Sequence, residues 1–586
     1  MADTHPPQQP GGGAGGEPVY LLLGAAAAVA ALVWLLWLAA ALTAGLSGHG
    51  WHMDSAGRGL PFAGHLFISR GDIAGAWADG AKGGELGATW LFWVLLLVLL
   101  VVVAVPLVKV ANRRNRRRNR GAQWARRDQE RPMVVPADPA KRPWRLTAGW
   151  SRQSRRLLAG HDCMSAIAFG PNGSGKTVSL AVPNALEWRG PAIISTAKGP
   201  DVEYMLAARR AIGGVHIFAP AGMPGYTTSG WSPVDYSTDE TTAALMARWL
   251  CESAGMDDPS SKPWMMQARQ FVGPLLLAAN RSGRGVDALV EFVQRGKSAE
   301  ADVRQILQQH GYKEFLRQYT GIWANLHADG IGSVLFTANL IIDPYLNPVI
   351  RNSARQSDFT AEDILSKNGT VFIVSPPSES KALAPVCTAL LASILHAAER
   401  EYERGNANWR ANGGQRHRFL FWRRTKAAPK PLENRLLLDL DEAGNVFKYP
   451  DLAKVSSTAR GMGIQLLAIF HDFSQLVSMY GEHDARTIVS QAKMRILLPG
   501  LADDMTLNYF SEGYGPTVTQ RTSYTTGSDG RGSATTSDHE IPLIAPYQIR
   551  ELEKGQALVQ YDNLPPMRVN LRNAEADRRL LAMANQ

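Results

Sequence analysis

The octapeptide Gly170-Pro171-Asn172-Gly173-Ser174-Gly175-Lys176-Thr177 constrains this chain more than any other feature, because it dictates a strand, a loop and a helix together. It fits G-x-x-x-x-G-K-[ST] at every fixed position. Ala166-Ile167-Ala168-Phe169 before it reads as a buried strand, and residues 176–186 after it read as a helix. Glycines at these places let backbone N–H groups close on a phosphate beside the positive end of the outgoing helix. In that setting Lys176 reaches the β- and γ-phosphates of ATP, and the Thr177 hydroxyl holds Mg²⁺. Gly170, Pro171, Asn172, Gly173, Ser174, Gly175, Lys176 and Thr177 are therefore the candidate nucleotide contacts.

A second signal has the matching chemistry. Leu436-Leu437-Leu438-Asp439-Leu440-Asp441-Glu442 is an apolar strand ending in a carboxylate pair. Asp441 is placed to bind the metal and Glu442 to orient and activate the attacking water. Asp439 is the rival for the metal, but a water-activating acid is expected directly beside the metal acid. Further short apolar runs, at 192–195, 215–218, 370–374, 465–469 and 495–498, are mostly separated by helical stretches. That alternation predicts a parallel sheet covered on both faces, with binding at the carboxyl ends of its strands.

Two stretches, 19–46 and 89–108, are long and apolar enough to cross a bilayer. The N-terminal 18 residues carry Asp3 and Glu17 but no Lys or Arg, which argues against a signal peptide. Between 109 and 145, thirteen Lys/Arg face three acids, Asp128, Glu130 and Asp138; this excess of ten equals the whole net charge of +10. The remainder is neutral overall, so the high pI is not by itself a nucleic-acid signature. Basic residues directly after the second stretch predict that its C-terminal end faces the cytoplasm, leaving both termini inside and the loop between the spans outside. Cys163, Cys251 and Cys387 lie far apart without metal spacing and read as reduced thiols.

Around the two strong motifs runs a series of weaker ones. Lys176 to Trp188 carries Pro183-Asn184-Ala185-Leu186-Glu187-Trp188, and Thr196-Ala197-Lys198-Gly199-Pro200-Asp201 and Trp231-Ser232-Pro233-Val234-Asp235 follow. After the acidic pair come Thr458-Ala459-Arg460-Gly461, Ser474-Gln475-Leu476, Leu498-Pro499-Gly500 and Ile541-Pro542-Leu543-Ile544-Ala545-Pro546. In this order, over 160–568, the chain resembles the TraG/VirD family of type IV coupling proteins.

The resemblance implies an α/β fold: a RecA-like P-loop NTPase domain with an inserted all-α domain, preceded by two transmembrane helices. It implies a homo-hexamer with nucleotide sites between subunits, in which Arg460, 18 residues past Glu442, acts as a finger on the neighbour's γ-phosphate. His471 stands where the family has a γ-phosphate-sensing glutamine, and Thr196 where it has an aspartate. The implied partners are a relaxase–single-stranded DNA complex, the channel proteins of a type IV secretion system, and the inner membrane.

The expected organisation is an N-terminus at 1–18, spans at 19–46 and 89–108 around an extracytoplasmic loop at 47–88, and a basic arm at 109–158. A nucleotide-binding domain follows over 159–235 and 353–586, interrupted by the all-α domain at 236–352. In that inserted domain Lys262, Trp264, Arg269, Arg281 and Arg284 are available to contact DNA or relaxase. Segments 405–433 and 516–538 read as polar loops. Other functions compatible with a membrane-tethered P-loop are an FtsK-type double-stranded DNA pump and a protein-only secretion ATPase. A non-hydrolysing scaffold fits poorly with intact Lys176, Thr177, Asp441 and Glu442.

Overall fold

Eleven strands, drawn from both ends of the chain, form one sheet that carries the loop at 170–177 on its edge of strand ends. The computed structural model describes residues 17–51, 57–69, 71–118, 121–253, 262–411, 432–446, 448–526 and 532–585. The chain divides into two compact units, 1–120 and 121–586.

In the first unit, helix α1 (Glu17–Leu46) packs against α4 (Thr89–Arg118), with α2 (Gly59–Ile68) and α3 (Ile73–Asp79) between them in sequence. Windows of α1 and α4, Val29–Leu46 and Thr89–Pro106, are long and apolar enough to cross a membrane. The segment expected as a plain loop thus contains two helices. Phe62 of α2 and Trp77 of α3 are wholly buried edge to face, and the Trp77 indole donates to the Gly83 carbonyl at 2.9 Å. The expected N-terminal tail lies almost wholly outside the described residues.

The second unit holds β1 (Thr147–Ser151), β2 (Leu157–Ala159), β3 (Ala166–Phe169), β4 (Ala192–Thr196), β5 (Val215–Phe218) and β6 (Thr370–Val374). It continues with β7 (Leu436–Leu440), β8 (Ile464–Phe470), β9 (Met494–Leu497), β10 (Pro516–Thr526), β11 (Gly532–Pro542), β12 (Gln556–Tyr561) and β13 (Met567–Asn570). The main sheet runs β2-β1-β13-β12-β9-β3-β8-β7-β4-β6-β5. From β9 to β5 all neighbours are parallel, and all seven of these strands lie at or within a residue of the apolar runs read from sequence. Two hydrophobic layers cover the two faces, as Val/Ile/Leu-rich parallel strands require.

Three expectations need correction. The sheet is mixed, because β12, β13, β1 and β2 extend it by antiparallel pairing. These strands belong partly to the stretch 109–158 expected as a basic arm; from 121 onward that stretch is built into the second unit, with β1 and β2 in the sheet, while α4 carries the first arginines. The Ser/Thr-rich segment expected as a loop is a ribbon: β10 and β11 pair in continuous antiparallel register from Pro516↔Pro542 to Thr526↔Gly532. Threonine is a strong strand former, and its polarity concealed that propensity. The other expected loop lies mostly outside the described residues.

Among the described residues, Glu240 to Ser353 contains only helices. The helix Lys262–Arg281 runs through the middle of them, and its Phe271 stacks on Tyr319 at 5.6 Å with Trp323 edge-on. A third long apolar helix, Ser380–Ala411, is mostly buried within the protein and serves as core.

Candidate nucleotide site

The site is assembled where β3, β7 and β8 end side by side. After Phe169 the chain turns through the glycine-rich loop, with Gly173 and Gly175 at φ of 80° and 85°, the left-handed region that glycine occupies without a Cβ penalty. Gly170 lies so close to Leu498 that a Cβ there would meet its side chain at 2.9 Å. The loop is therefore packed against the end of β9 as well. It delivers Lys176 and Thr177 to the start of a helix whose first turn, Thr177–Ala181, is π-helical and which continues as Val182–Glu187.

Lys176 is buried, and its Nζ lies 3.0 Å from His471 Nδ1, 3.3 Å from Asn172 Oδ1 and 3.3 Å from Glu442 Oε1. Beside it, the Thr177 hydroxyl donates to Asp441 Oδ2 at 2.5 Å. Residues from β3, β7 and β8, far apart in sequence, thus meet at one point. Glu442 itself has φ of 52°, unusual for a residue with a Cβ, and this left-handed step at the end of β7 accompanies its turn toward Lys176. Burial pushes the Asp441 carboxyl up to about 6, against the Thr177 hydrogen bond that lowers it, with Glu442 raising it further. A bound cation reverses that balance by favouring the carboxylate.

Asp439 and Asp441 differ in position. Asp439 is wholly buried within β7, and neither carboxyl oxygen has a hydrogen-bond partner among the described residues. Burial, then the Asp441 charge, drives its carboxyl well above the usual range. It is Asp441 that Thr177 meets.

His471 follows β8 and keeps its ring on Lys176; burial, then the Lys176 charge, holds its imidazole below the usual range. Two groups beside this cluster were not identified as site residues from sequence. The Gln475 side chain accepts the His471 N–H at 2.9 Å and lies so close to Gly444 that no Cβ fits there, so it ties the end of β8 to the residues after Glu442. Asp201 accepts from Thr196 Oγ1 at 2.8 Å, and its carboxyl is raised by burial and also by Glu442. Thr196 and Asp201 are thus joined at the end of β4. The only clue in sequence was the i, i+4 and i, i+5 spacing, which is common.

Arg460 is not part of this cluster. It is exposed on the helix Leu452–Met462, just before β8 begins, whereas His471 follows the end of β8. Seven residues of strand separate the two ends, roughly 20 Å. At that far end, burial and then the charges of Arg145 and Arg460 hold the His161 imidazole below its usual range.

Of the residues offered for nucleic acid, three are engaged within the chain. Arg269 pairs with Glu252 at 2.5 Å, Arg281 donates to Tyr312 and Thr238, and Arg284 pairs with Glu291. Trp264 remains partly exposed, and the Lys262 side chain is outside the described residues.

A family model described as "Type IV secretory system Conjugative DNA transfer" matches residues 128–411, and one described as "TraM recognition site of TraD and TraG" matches 435–554. The protein VirD4 of Agrobacterium fabrum is 22% identical over 446 residues, 71% of this chain and 59% of that protein. The conjugal transfer protein TraG of Escherichia coli is 25% identical over 411 residues, covering 65% and 60%. The match thus spans about three fifths of the length of these curated relatives. The plasmid coupling protein TrwB in complex with ADP and Mg²⁺ superposes with a TM-score of 0.55 at 17% identity, over 78% of this chain and 94% of that one. Its complex with a non-hydrolysable GTP analogue gives 0.54 at 16%, over 78% and 95%. These likenesses establish the fold, a P-loop α/β domain carrying a helical insertion. With both family models in sequence order and the two motifs meeting in one site, the chain belongs to the TraG/VirD4 family of type IV secretion coupling proteins.

Proposed function

We propose that this chain is an inner-membrane ATPase that couples a relaxase–DNA substrate to a type IV secretion channel during conjugative DNA transfer. The observation that carries the catalytic part is the meeting of buried Lys176 with Glu442 beside the Thr177–Asp441 pair. These residues fit a Mg²⁺–nucleotide. The loop has the two left-handed glycines a phosphate cradle needs, and the buried Ser174 hydroxyl inside it has no partner among the described residues.

In this reading the loop's N–H groups and Lys176 bind the β- and γ-phosphates, and Thr177 and Asp441 hold the metal. Mg²⁺ supplies charge neutralisation on the phosphates when bound. Glu442 releases Lys176 to the nucleotide, orients the water and accepts its proton. His471, whose ring nitrogen lies 3.0 Å from Lys176 Nζ, would offer one imidazole nitrogen to the γ-phosphate. Arg460 completes the site of a neighbouring subunit in a homo-hexamer.

The DNA-transfer part is supported by family membership, and docking to a relaxosome by the C-terminal match described as a TraM recognition site. Membrane anchoring by two spans, with the second unit in the cytoplasm, is supported by the two apolar N-terminal helices and the arginines that follow the second.

Glu442→Gln should bind ATP but turn it over about 10²- to 10⁴-fold more slowly, since an amide neither accepts the proton nor orients water as a carboxylate does. Substrate trapped on this variant in cells and recovered by copurification identifies the cargo. DNA joined to a relaxase supports conjugation, and protein without nucleic acid supports the protein-only alternative. Equal losses of ATP binding and turnover would instead make Glu442 structural.

The arginines of the arm should orient the chain rather than grip DNA, each contributing about 1 kcal/mol of attraction to an anionic leaflet. Neutralising Arg113, Arg114, Arg116, Arg117, Arg118 and Arg120 should alter the topology reported by cysteine labelling in 47–86. Unchanged topology with lost DNA affinity would contradict this.

A further inference from the structure

The first turn of the P-loop helix leaves one of its own backbone groups without a helical partner. The Val182 N–H donates to the Thr177 carbonyl five residues back, so the register there is π rather than α. In that register the donor to the Val178 carbonyl would be residue 183, which is proline and has no N–H. Val178 is half-buried, and a carbonyl withdrawn from water there needs another donor. The missing donor comes from the far end of the chain: the Ala574 N–H reaches Val178 O at 2.9 Å.

Two residues earlier the same segment grips the other end of the helix. Arg572 donates Nη1 to Glu187 Oε2 at 2.7 Å and Nη2 to Oε1 at 2.9 Å, a bidentate pair on the helix's last residue. Arg142 adds a third donor to Glu187 at 2.5 Å. Arg572 and Glu187 are both buried, where a fork-to-fork pair fixes orientation as well as contact. Asp577 holds Arg572 from behind at 3.3 Å while capping the helix Arg578–Ala584. The short segment 572–577 therefore clamps the P-loop helix at both its ends.

We propose that this C-terminal segment is a positioning element for the nucleotide site, with Arg572 and the Ala574 amide acting through the P-loop helix rather than on the nucleotide. The proposal rests on the nucleotide reading of the loop above. Val178 is the direct neighbour of Thr177, whose hydroxyl sits 2.5 Å from Asp441, so movement of this turn separates the residues that share the metal. Loss of the clamp shifts the helix by a fraction of its own turn and misplaces Lys176 and Thr177 against the carboxylates.

The experiment uses the full chain in lipid nanodiscs and measures ATP turnover, affinity for ADP with Mg²⁺, and thermal unfolding. Arg572→Gln should lower kcat/KM about 10²-fold, the size expected for a misplacement of about 1 Å. Arg572→Lys should recover part of that loss, and Ala574→Pro, which removes the N–H and also fixes φ, should weaken ADP binding. A folded Arg572→Gln chain with wild-type kcat/KM overturns the proposal. If these variants do not fold, hydrogen exchange on the wild-type chain decides. ADP with Mg²⁺ should slow amide exchange over 572–577 by about tenfold, because opening of the clamp is coupled to the site. Unchanged exchange at 572–577 in a chain that does bind ADP overturns the clamp and leaves the P-loop assignment intact. A wild-type chain with no affinity for ADP overturns the nucleotide reading itself.

Discussion

Replacing Lys176 with alanine is expected to cut ATP turnover by about 10³-fold or more, the loss of a positioned charge on the transferring phosphate. The ammonium is buried and touches Asn172, His471 and Glu442, so no other cation on the loop can take its place. Its removal also takes away a positive charge that lowers the Asp441 carboxyl, which favours the protonated form of that acid. Phosphate release by the purified chain measures the effect. Protease protection of the N-terminal helices should be unchanged, because Lys176 lies in the other unit. Turnover near the wild-type rate would remove the P-loop from the chemistry.

The second large effect concerns a residue the site does not contain. Arg460 stands at the far end of β8, exposed, and cannot reach Lys176 of its own chain across roughly 20 Å of strand. A guanidinium that completes a neighbour's site stabilises transition-state charge by about 10³-fold or more. Arg460→Ala alone should therefore be inactive. Mixed with Lys176→Ala it should recover part of the activity, because some interfaces then join an intact loop to an intact arginine. Size analysis must first establish that mixed rings form. Verified mixed rings without recovery would return Arg460 to an ordinary exposed helix-end arginine.

The parts of the fold that were legible in sequence share one property: their local pattern and their tertiary role agree. The continuous apolar runs of β3 to β9 could only be buried parallel strands, and the glycine-rich loop between strand and helix fixed where they open. The antiparallel flank was hidden because β1 and β2 lie in or just after the arginine-rich stretch, and β13, Met567–Asn570, alternates buried and exposed positions over only four residues. The β10–β11 ribbon was hidden by its polarity. Within the site, the meeting of Lys176, Thr177, Asp441 and Glu442 was legible because each motif sets two of them side by side in sequence. Gln475 and Asp201 were not, since their contribution depends on where a helix folds them. The motif Pro183-Asn184-Ala185-Leu186-Glu187-Trp188 acquires a structural meaning that no spacing implied. Asn184 bonds both the N–H and the carbonyl of Thr147, Trp188 donates to the Arg435 carbonyl at 3.0 Å, and Glu187 anchors two arginines. These contacts seat the P-loop helix on its sheet.

ATP hydrolysis at this site is expected to drive transfer of DNA. The direct measurement is conjugation from donor cells that lack their own copy of the gene, complemented with the wild-type chain or with Glu442→Gln, counting recipients that acquire the plasmid. Wild-type complementation should restore transfer, and Glu442→Gln should leave it at least about 10²-fold lower, following the loss in turnover. Equal transfer with both chains, or protein export restored without any DNA transfer, would contradict it.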